Sequence, residues 1–317
     1  MFRNFFSTFV TMISVLLPIY NYACKSLFHE LHSQLAASGV DFEVIAVEDG
    51  SQHHVYENRD AAALLNITHI ALPHNIGRSA IRNKLAAMAR YEWLLFMDCD
   101  SRLVRTDYIR NYLESTAKYK ESVICGGRLF GDKEEVDPEY MLHWYCGTLR
   151  EPKADENNIG KAFLSNNFLI RKELFNKVCF EEGLKGYGHE DTLFGIALQK
   201  ASYNIRYIDN PVFHEGLDSN EAFLIKSRMA VINLRTLKER FLHPDDYGQI
   251  RLLQYYEKFR SCYLHYLLAA IYDLFHRQIE KQLKSKKPNL YLFDLYKLGF
   301  LCKVMMADQP QLHRTDR

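Results

Sequence analysis

Along the first hundred residues, short apolar runs are separated by stretches of helical period. Ile13 to Leu17 is a branched aliphatic run closed by Pro18, the pattern of a buried strand that ends in a loop. Leu27, Leu31 and Leu35 follow at four-residue spacing with Gly39 as a stop signal, which predicts a helix. Phe42 to Val47 reads as a second strand, residues 54 to 65 as a helix, Ile67 to Leu72 as a third strand, Ser79 to Arg90 as a helix and Trp93 to Met97 as a fourth strand. Strict alternation of strand and helix calls for an α/β fold with a mostly parallel sheet flanked by helices on both faces. Beyond residue 120 the pattern loosens. Val123 to Cys125 reads as a strand, Gly126-Gly127-Arg128 as a tight loop, 131 to 160 as a charged irregular insertion, Phe163 to Ile170 as a strand, Thr192 to Lys200 as a helix and Ile205 to Ile208 as a strand. From about 220 the chain turns helical, and Leu252, Tyr256, Phe259, Tyr263, Leu267, Ile271 and Leu274 form one apolar stripe along a single long helix.

The composition narrows the class. With 48% apolar and 25% charged residues over 317 positions, the chain can bury a large core. A net charge of +1 provides no global field for nucleic acid, so any anion must be held locally. The seven cysteines show no CxxC pair or zinc-ligand spacing and suit reduced core thiols in a cytoplasmic protein. The apolar stretch Phe5 to Ile19 carries Ser7, Thr8, Thr11 and Ser14 and runs straight into the first strand, so it is not expected to be a signal peptide; residues 1–11 read as an extension. No run reaches the ~20 uninterrupted apolar residues of a membrane span.

In parallel sheets, ligands sit beyond the carboxyl ends of the strands. The residues at those ends are Pro18, Tyr20 and Asn21, then Glu48 and Asp49, then Asn75 and Gly77, then Asp98 and Asp100. Asp98-Cys99-Asp100 places two carboxylates at i and i+2, which suits a hard cation such as Mg2+ or Mn2+, or a simple turn. Gly186-Tyr187-Gly188-His189-Glu190-Asp191 opens a helix, and its acids can cap that helix or serve as a general base. His214 is either structural or the nitrogen that completes a metal site with Asp100. Arg78 and Arg82 lie one turn apart, either solvated or clamped on phosphate oxygens. The chain lacks GxGxxG after its first strand, GxxxxGK[ST] and GxSxG, which removes the main support for dinucleotide enzymes, P-loop NTPases and α/β-hydrolases.

Taken together, these motifs resemble the inverting family-2 glycosyltransferases of the GT-A fold over roughly residues 12 to 216. Pro18-Ile19-Tyr20-Asn21 is similar to the family's opening, and Val47-Glu48-Asp49-Gly50-Ser51 to its V-D-D-G-S with Glu48 in place of the first acid. Asn75-Ile76-Gly77 through Ala80-Ile81-Arg82-Asn83 resembles N-x-G-x-x-x-A-R-N with Ile81 inserted, Asp98-Cys99-Asp100 the DxD, and Glu190-Asp191 the late acidic pair. The resemblance implies a UDP-sugar donor, with Tyr20 stacked on uracil, Asp49 accepting from its ring nitrogen and Glu48 an accessory nucleoside contact. It implies Arg82 by the base or diphosphate with Arg78 nearby, Asp98 near the ribose or sugar, and Asp100 with His214 on Mn2+ or Mg2+. Asp191 would be the catalytic base and Glu190 would help to place the acceptor. The segment 186–191 also resembles the G-W-G-x-E-D of galactosyl- and N-acetylgalactosaminyl-transferases, with Tyr187 for tryptophan, which leans the donor toward a UDP-hexose or UDP-N-acetylhexosamine.

The expected organisation is therefore a catalytic domain over 1–219 and a helical region over 220–317. The expected reaction is metal-dependent inverting transfer to a hydroxyl of a glycan or lipid-linked acceptor, in polysaccharide or glycoconjugate synthesis. The insertion 131 to 160 and the loop at Asn166-Asn167 are expected on the acceptor side. Two other readings stand beside it: a sugar-nucleotide nucleotidyltransferase, and a non-catalytic scaffold subunit. The C-terminal stripe, with Lys281, Lys284, Lys286 and Lys287, either packs on the core or a second subunit, or rests on the inner face of a membrane.

Overall fold

The computed structural model describes residues 12–120, 122–151 and 163–307. Strand and helix alternate through β1 (Ile13–Ile19), α1 (Lys25–Ser38), β2 (Phe42–Glu48), α2 (Val55–Leu64), β3 (Thr68–Ala71), α3 (Arg78–Met88) and β4 (Trp93–Met97). Then come β5 (Ser101–Leu103), α4 (Tyr108–Lys118), β6 (Ser122–Cys125), β7 (Arg128–Leu129) and, after two 3-10 turns, α5 (Met141–Arg150). β8 (Asn167–Arg171), α6 (Lys172–Val178), α7 (Glu190–Lys200), β9 (Asn204–Tyr207) and β10 (Val212–His214) follow. The remainder is helical: α8 (Asn220–Arg240), α9 (Arg251–Ser261), α10 (Leu264–Leu283) and α11 (Leu290–Met306).

The chain divides into two compact units. One comprises Met1–Phe130, Pro152–Gly183 and Glu190–Gly216; the other comprises Gly131–Glu151, Leu184–His189 and Leu217–Arg317. The expected cut at 219/220 thus meets a division just after Gly216, and two earlier segments join the helical unit.

The first unit is built on a seven-stranded sheet of order β3-β2-β1-β4-β8-β6-β9. β1, β2, β3 and β4 are parallel, β8 runs antiparallel to both β4 and β6, and β9 is again parallel to β6. Residues at alternate positions of a strand face opposite sides, and both sides here are apolar. Ile13, Val15, Leu17 and Ile19 pack with Leu27, Leu31 and Leu35 of α1, while Leu16, Leu94 and Phe96 pack with Ile81 and Leu85 of α3 on the other face. The second face is filled by phenylalanines, with Phe180 stacked on Phe194 at 4.1 Å and Phe96 on Phe168 at 4.7 Å. Pro18 lies inside β1 and past its last pair with β4, Leu16↔Phe96, where a missing N–H costs that ladder nothing. A second sheet, β5-β10-β7, carries β10 antiparallel to β5.

In the second unit, Leu142 of α5, Leu224 of α8, Tyr272, Ile279 and Leu283 of α10, and Phe293 and Tyr296 of α11 share one core. Gly299 permits the close α10–α11 crossing, since a Cβ there would stand 2.8 Å from the Cβ of Tyr272.

Three expectations are corrected. The segment 131 to 160 is not irregular over its described part: α5 occupies 141–150, and Asn220 fastens it to α8 by accepting from the Leu142 N–H and donating to the Pro138 carbonyl. The strand expected over 163–170 is confined to Asn167–Arg171, because the residues just ahead of it form a turn in which the Asn166 carbonyl accepts from the Asp98 N–H. The single long C-terminal helix is broken between α9 and α10, where Tyr263 takes a left-handed backbone (φ 61°). The buried side chains there are Leu253, Tyr256, His265, Ala269 and Tyr272, so of the expected stripe only Tyr256 is fully packed and its continuation along α10 is not the packed face.

Candidate active site

The carboxyl ends of β1, β2 and β4 carry the first group of candidate residues. β1 runs out into Tyr20, which is 56% exposed, and Asn21, which adopts a left-handed turn. The Asn21 side chain accepts from the N–H groups of Gln52 and His53, and its own N–H donates to Ser51 Oγ. The loops after β1 and β2 are therefore one structure. Asp49, 5% exposed, accepts from the N–H of Ile76 (2.7 Å) and of Gly77 (3.2 Å), which holds the entry to α3 against the end of β2. A carboxylate has about four acceptor positions, so Asp49 retains capacity for a ligand donor.

Glu48 departs from the expected nucleoside contact. It is fully buried, and its Oε1 takes Asn58 Nδ2 at 2.8 Å and stands 3.2 Å from His69 Nε2. Burial alone would raise its pKa, but His69, Ser51 and Asn58 more than offset this and hold the carboxyl below the usual glutamate range. Asn58, also fully buried, spends its other valences on the loop after β1: it donates to the Tyr22 carbonyl and accepts from the Cys24 N–H. Glu48 thus works beneath the loop, and Asn58, which nothing in the helical spacing marks, is the hub that joins them.

The DxD follows β4. Asp98 accepts from Arg82 Nη2 at 2.8 Å, and Arg82 is buried on α3 with its guanidinium over the Phe180 ring. One turn earlier Arg78, half-exposed, reaches Glu190 Oε1 at 3.4 Å. These contacts form a run from Glu190 through Arg78 and Arg82 to Asp98. Asp191 follows Glu190 in the first turn of α7, and its Oδ1 accepts from the Thr192 N–H at 2.7 Å. Burial, then the neighbouring Glu190, push its carboxyl up to about 6, against the opposing pull of the Thr192 N–H, Arg82 and Arg78.

Asp100 and His214, far apart in sequence, are brought together by the second sheet. β5 begins one residue after Asp100 and pairs with β10 in the register His214↔Ser101, and the Glu215 N–H donates to the Asp100 carbonyl. His214 Nδ1 then stands 3.5 Å from Asp100 Oδ1. Burial would raise the Asp100 pKa, but His214 and Arg128 outweigh it and lower it. The Oδ1 of Asp100 is buried without a hydrogen-bond partner, and Gly216 leaves room for Oδ2, from which a Cβ would stand 2.4 Å. A buried carboxylate oxygen beside an imidazole nitrogen is a donor pair that suits Mn2+ or Mg2+. Among the described residues, no three His, Cys, Asp or Glu side chains gather as a metal-binding group.

Sequence reasoning missed Arg128, near Asp100, and Glu215, which accepts from the Tyr22 hydroxyl and pairs with Arg102. It also missed how Asn167 is spent. That residue is buried, accepting from the Tyr108 and Tyr112 hydroxyls and donating to the carbonyls of Gly127 and Asn210, while Asn166 accepts from the Asp98 N–H. Asn166 thus holds the first residue of the DxD while Asn167 ties together the loops after β6 and β9, and for Glu215 its adjacency to His214 was the one available signal.

A family model described as glycosyl transferase family 2 matches residues 14–179, and the chain belongs to that family. The fold is that of the GT-A glycosyltransferases. It is similar to the mannosyltransferase PcManGT from Pyrobaculum calidifontis, solved in complex with GDP-Man and Mn2+, with a TM-score of 0.56, 13% identity, and coverage of 94% of this chain and 86% of that one. Among curated relatives, hyaluronan synthase of Pasteurella multocida is 24% identical over 206 residues, which is 53% of this chain but 21% of that protein. Glycosyltransferase GlyG of Streptococcus pneumoniae serotype 4 is 26% identical over 186 residues, 54% of this chain and 60% of that protein. The matched region thus spans about a fifth of the first relative and three fifths of the second, less than two thirds of either.

Proposed function

We propose that this chain is a metal-dependent inverting glycosyltransferase that moves a hexose or N-acetylhexosamine from a UDP-sugar to a hydroxyl of a glycan or lipid-linked acceptor. The observation that carries the reading is the joining of Glu190, Arg78, Arg82 and Asp98 in one run of contacts, with Asp100 and His214 paired two residues further on. The curated relatives include a hyaluronan synthase and two chondroitin synthases by name, which supports polysaccharide synthesis as the setting.

Tyr20 offers an exposed ring for the uracil, and Asp49 an acceptor for its ring nitrogen. Asp100 and His214 would hold Mn2+ or Mg2+, which when bound neutralises charge on the departing diphosphate. Asp191 takes the proton of the acceptor hydroxyl as that oxygen bonds to C1 on the face opposite the diphosphate. The C1–O bond to UDP breaks, and the anomeric configuration inverts. A carboxyl near pH 6 is well matched to this task, since it is ionised at neutral pH and still basic enough to accept a proton. Arg78 pairs with Glu190 and keeps the second acid oriented toward the acceptor.

The test is a panel of UDP-sugars with Mn2+ or Mg2+, read by thermal stabilisation and by UDP release. Asp191→Asn is expected to bind donor and metal as the wild type does while transfer falls by ~10²- to 10⁴-fold. The wild-type rate should decline as pH falls below about 6, where Asp191 becomes protonated. Near wild-type turnover by Asp191→Asn would refute the base assignment, and release of inorganic pyrophosphate instead of UDP would refute the reaction class.

A further inference from the structure

The outward face of α10 is apolar where it should be polar. On its inner side His265, Ala269, Tyr272, Ile279 and Leu283 are buried. On its outer side Leu267 and Leu274, seven residues apart, are 56% and 70% exposed, with Phe275 and Leu264 exposed on their flank. A helix that had finished packing would show charged residues at these positions. Continuing the same seven-residue step from Leu274 leads to Lys281, after which Lys284, Lys286 and Lys287 follow. The outer face is thus apolar over its first three turns and cationic at its end.

The charge is local. From Lys258 to Lys287 there are seven basic residues against two acidic ones, in a chain whose formal net charge is +1. Glu280 is turned inward, onto Arg228 of α8 and the Tyr296 hydroxyl, while Asp273 stays half-exposed with its charge met by Lys303 of α11. No helix among the described residues is long and apolar enough to cross a membrane. An apolar face that ends in a cluster of lysines is the arrangement of a helix lying in the interface of an anionic bilayer, its leucines among the acyl chains and its cations at the phosphates. The geometry points to α10 and the lysines after it as a docking surface for an anionic lipid membrane, independent of the donor and acceptor chemistry proposed above. A glycosyltransferase held this way would meet lipid-linked acceptors in two dimensions.

The test uses the full chain and sedimentation with vesicles of phosphatidylcholine alone or mixed with phosphatidylglycerol. Binding is expected to the mixed vesicles only, and to weaken as salt screens the lysines. Two variants separate the parts of the surface. Leu267→Gln with Leu274→Gln removes exposed apolar area, and Lys281→Glu with Lys286→Glu and Lys287→Glu reverses the charge; each should lower partitioning at least about tenfold. All these side chains are exposed, so melting temperature and donor-induced stabilisation should match the wild type. Absence of binding to the mixed vesicles at low salt overturns the proposal, as does equal binding to the neutral ones or indifference to both variants. A concentration-dependent dimer that the leucine variant dissociates, without vesicle binding, overturns it in favour of a second copy of the chain.

Discussion

Gly216 owes its identity to Asp100. It follows β10, and any Cβ there would press on the carboxylate that stands beside His214, 2.4 Å from Oδ2 and 3.0 Å from Cβ. Gly216→Ala is therefore expected to leave the core intact but displace that carboxylate, weakening Mn2+ binding by about tenfold or more, the cost typical of disturbing a group that orients a metal ligand. Isothermal titration with Mn2+ and UDP checks it, and unchanged affinity would show that Asp100 tolerates the shift. At this scale the sequence was partly legible. Asp98, Asp100, Glu190 and Asp191 could be picked out because acids at strand ends and helix starts have few other places to be. Glu48 could not be told from its neighbour Asp49. Alternation along β2 sends one side chain inward, to Asn58 and His69, and leaves the next at the rim, but which parity faces the core depends on what packs there.

Among the elements, those before residue 100 were read within a few positions, because strand and helix there have apolar faces dictated by a sheet buried on both sides. The C-terminal helices were misread for the converse reason. Their apolar residues lie on two sides, and a stripe of period near 3.6 can be drawn through either. Only the position of α11, with Tyr296 and Phe293 packed against Tyr272 and Ile279, selects the inward face of α10. The break at Tyr263 carries no glycine or proline and so gave no signal. That residue is 76% exposed in a left-handed conformation, which disfavours side chains other than those of glycine and asparagine. Tyr263→Gly should relieve this and, after the greater flexibility of glycine in the unfolded chain is offset, stabilise the protein by about 0.5–1 kcal/mol. A rise in the urea midpoint with an unchanged slope would support this, and a fall would mean that the tyrosine ring contributes packing beyond its exposure.

For the molecule as a whole, the two compact units have separate cores, one of sheet and phenylalanine, the other of helices around Tyr272 and Tyr296. They are expected to give two transitions on heating. UDP with Mn2+ should raise only the transition of the sheet unit, which holds every candidate donor-binding residue, by about 2.7 kcal/mol when ligand is a hundredfold above its dissociation constant. A single transition that shifts as one would show the units to unfold together.

Local pattern was enough for the alternating α/β architecture and for the acids at the strand ends, because buried faces and turn chemistry are written in spacings of a few residues. The inward turn of Glu48, the capture of α5 by α8 and the outward leucines of α10 were beyond its reach. Each depends on a register or contact between segments far apart in the chain, and no short-range period encodes which distant partner will fill a face.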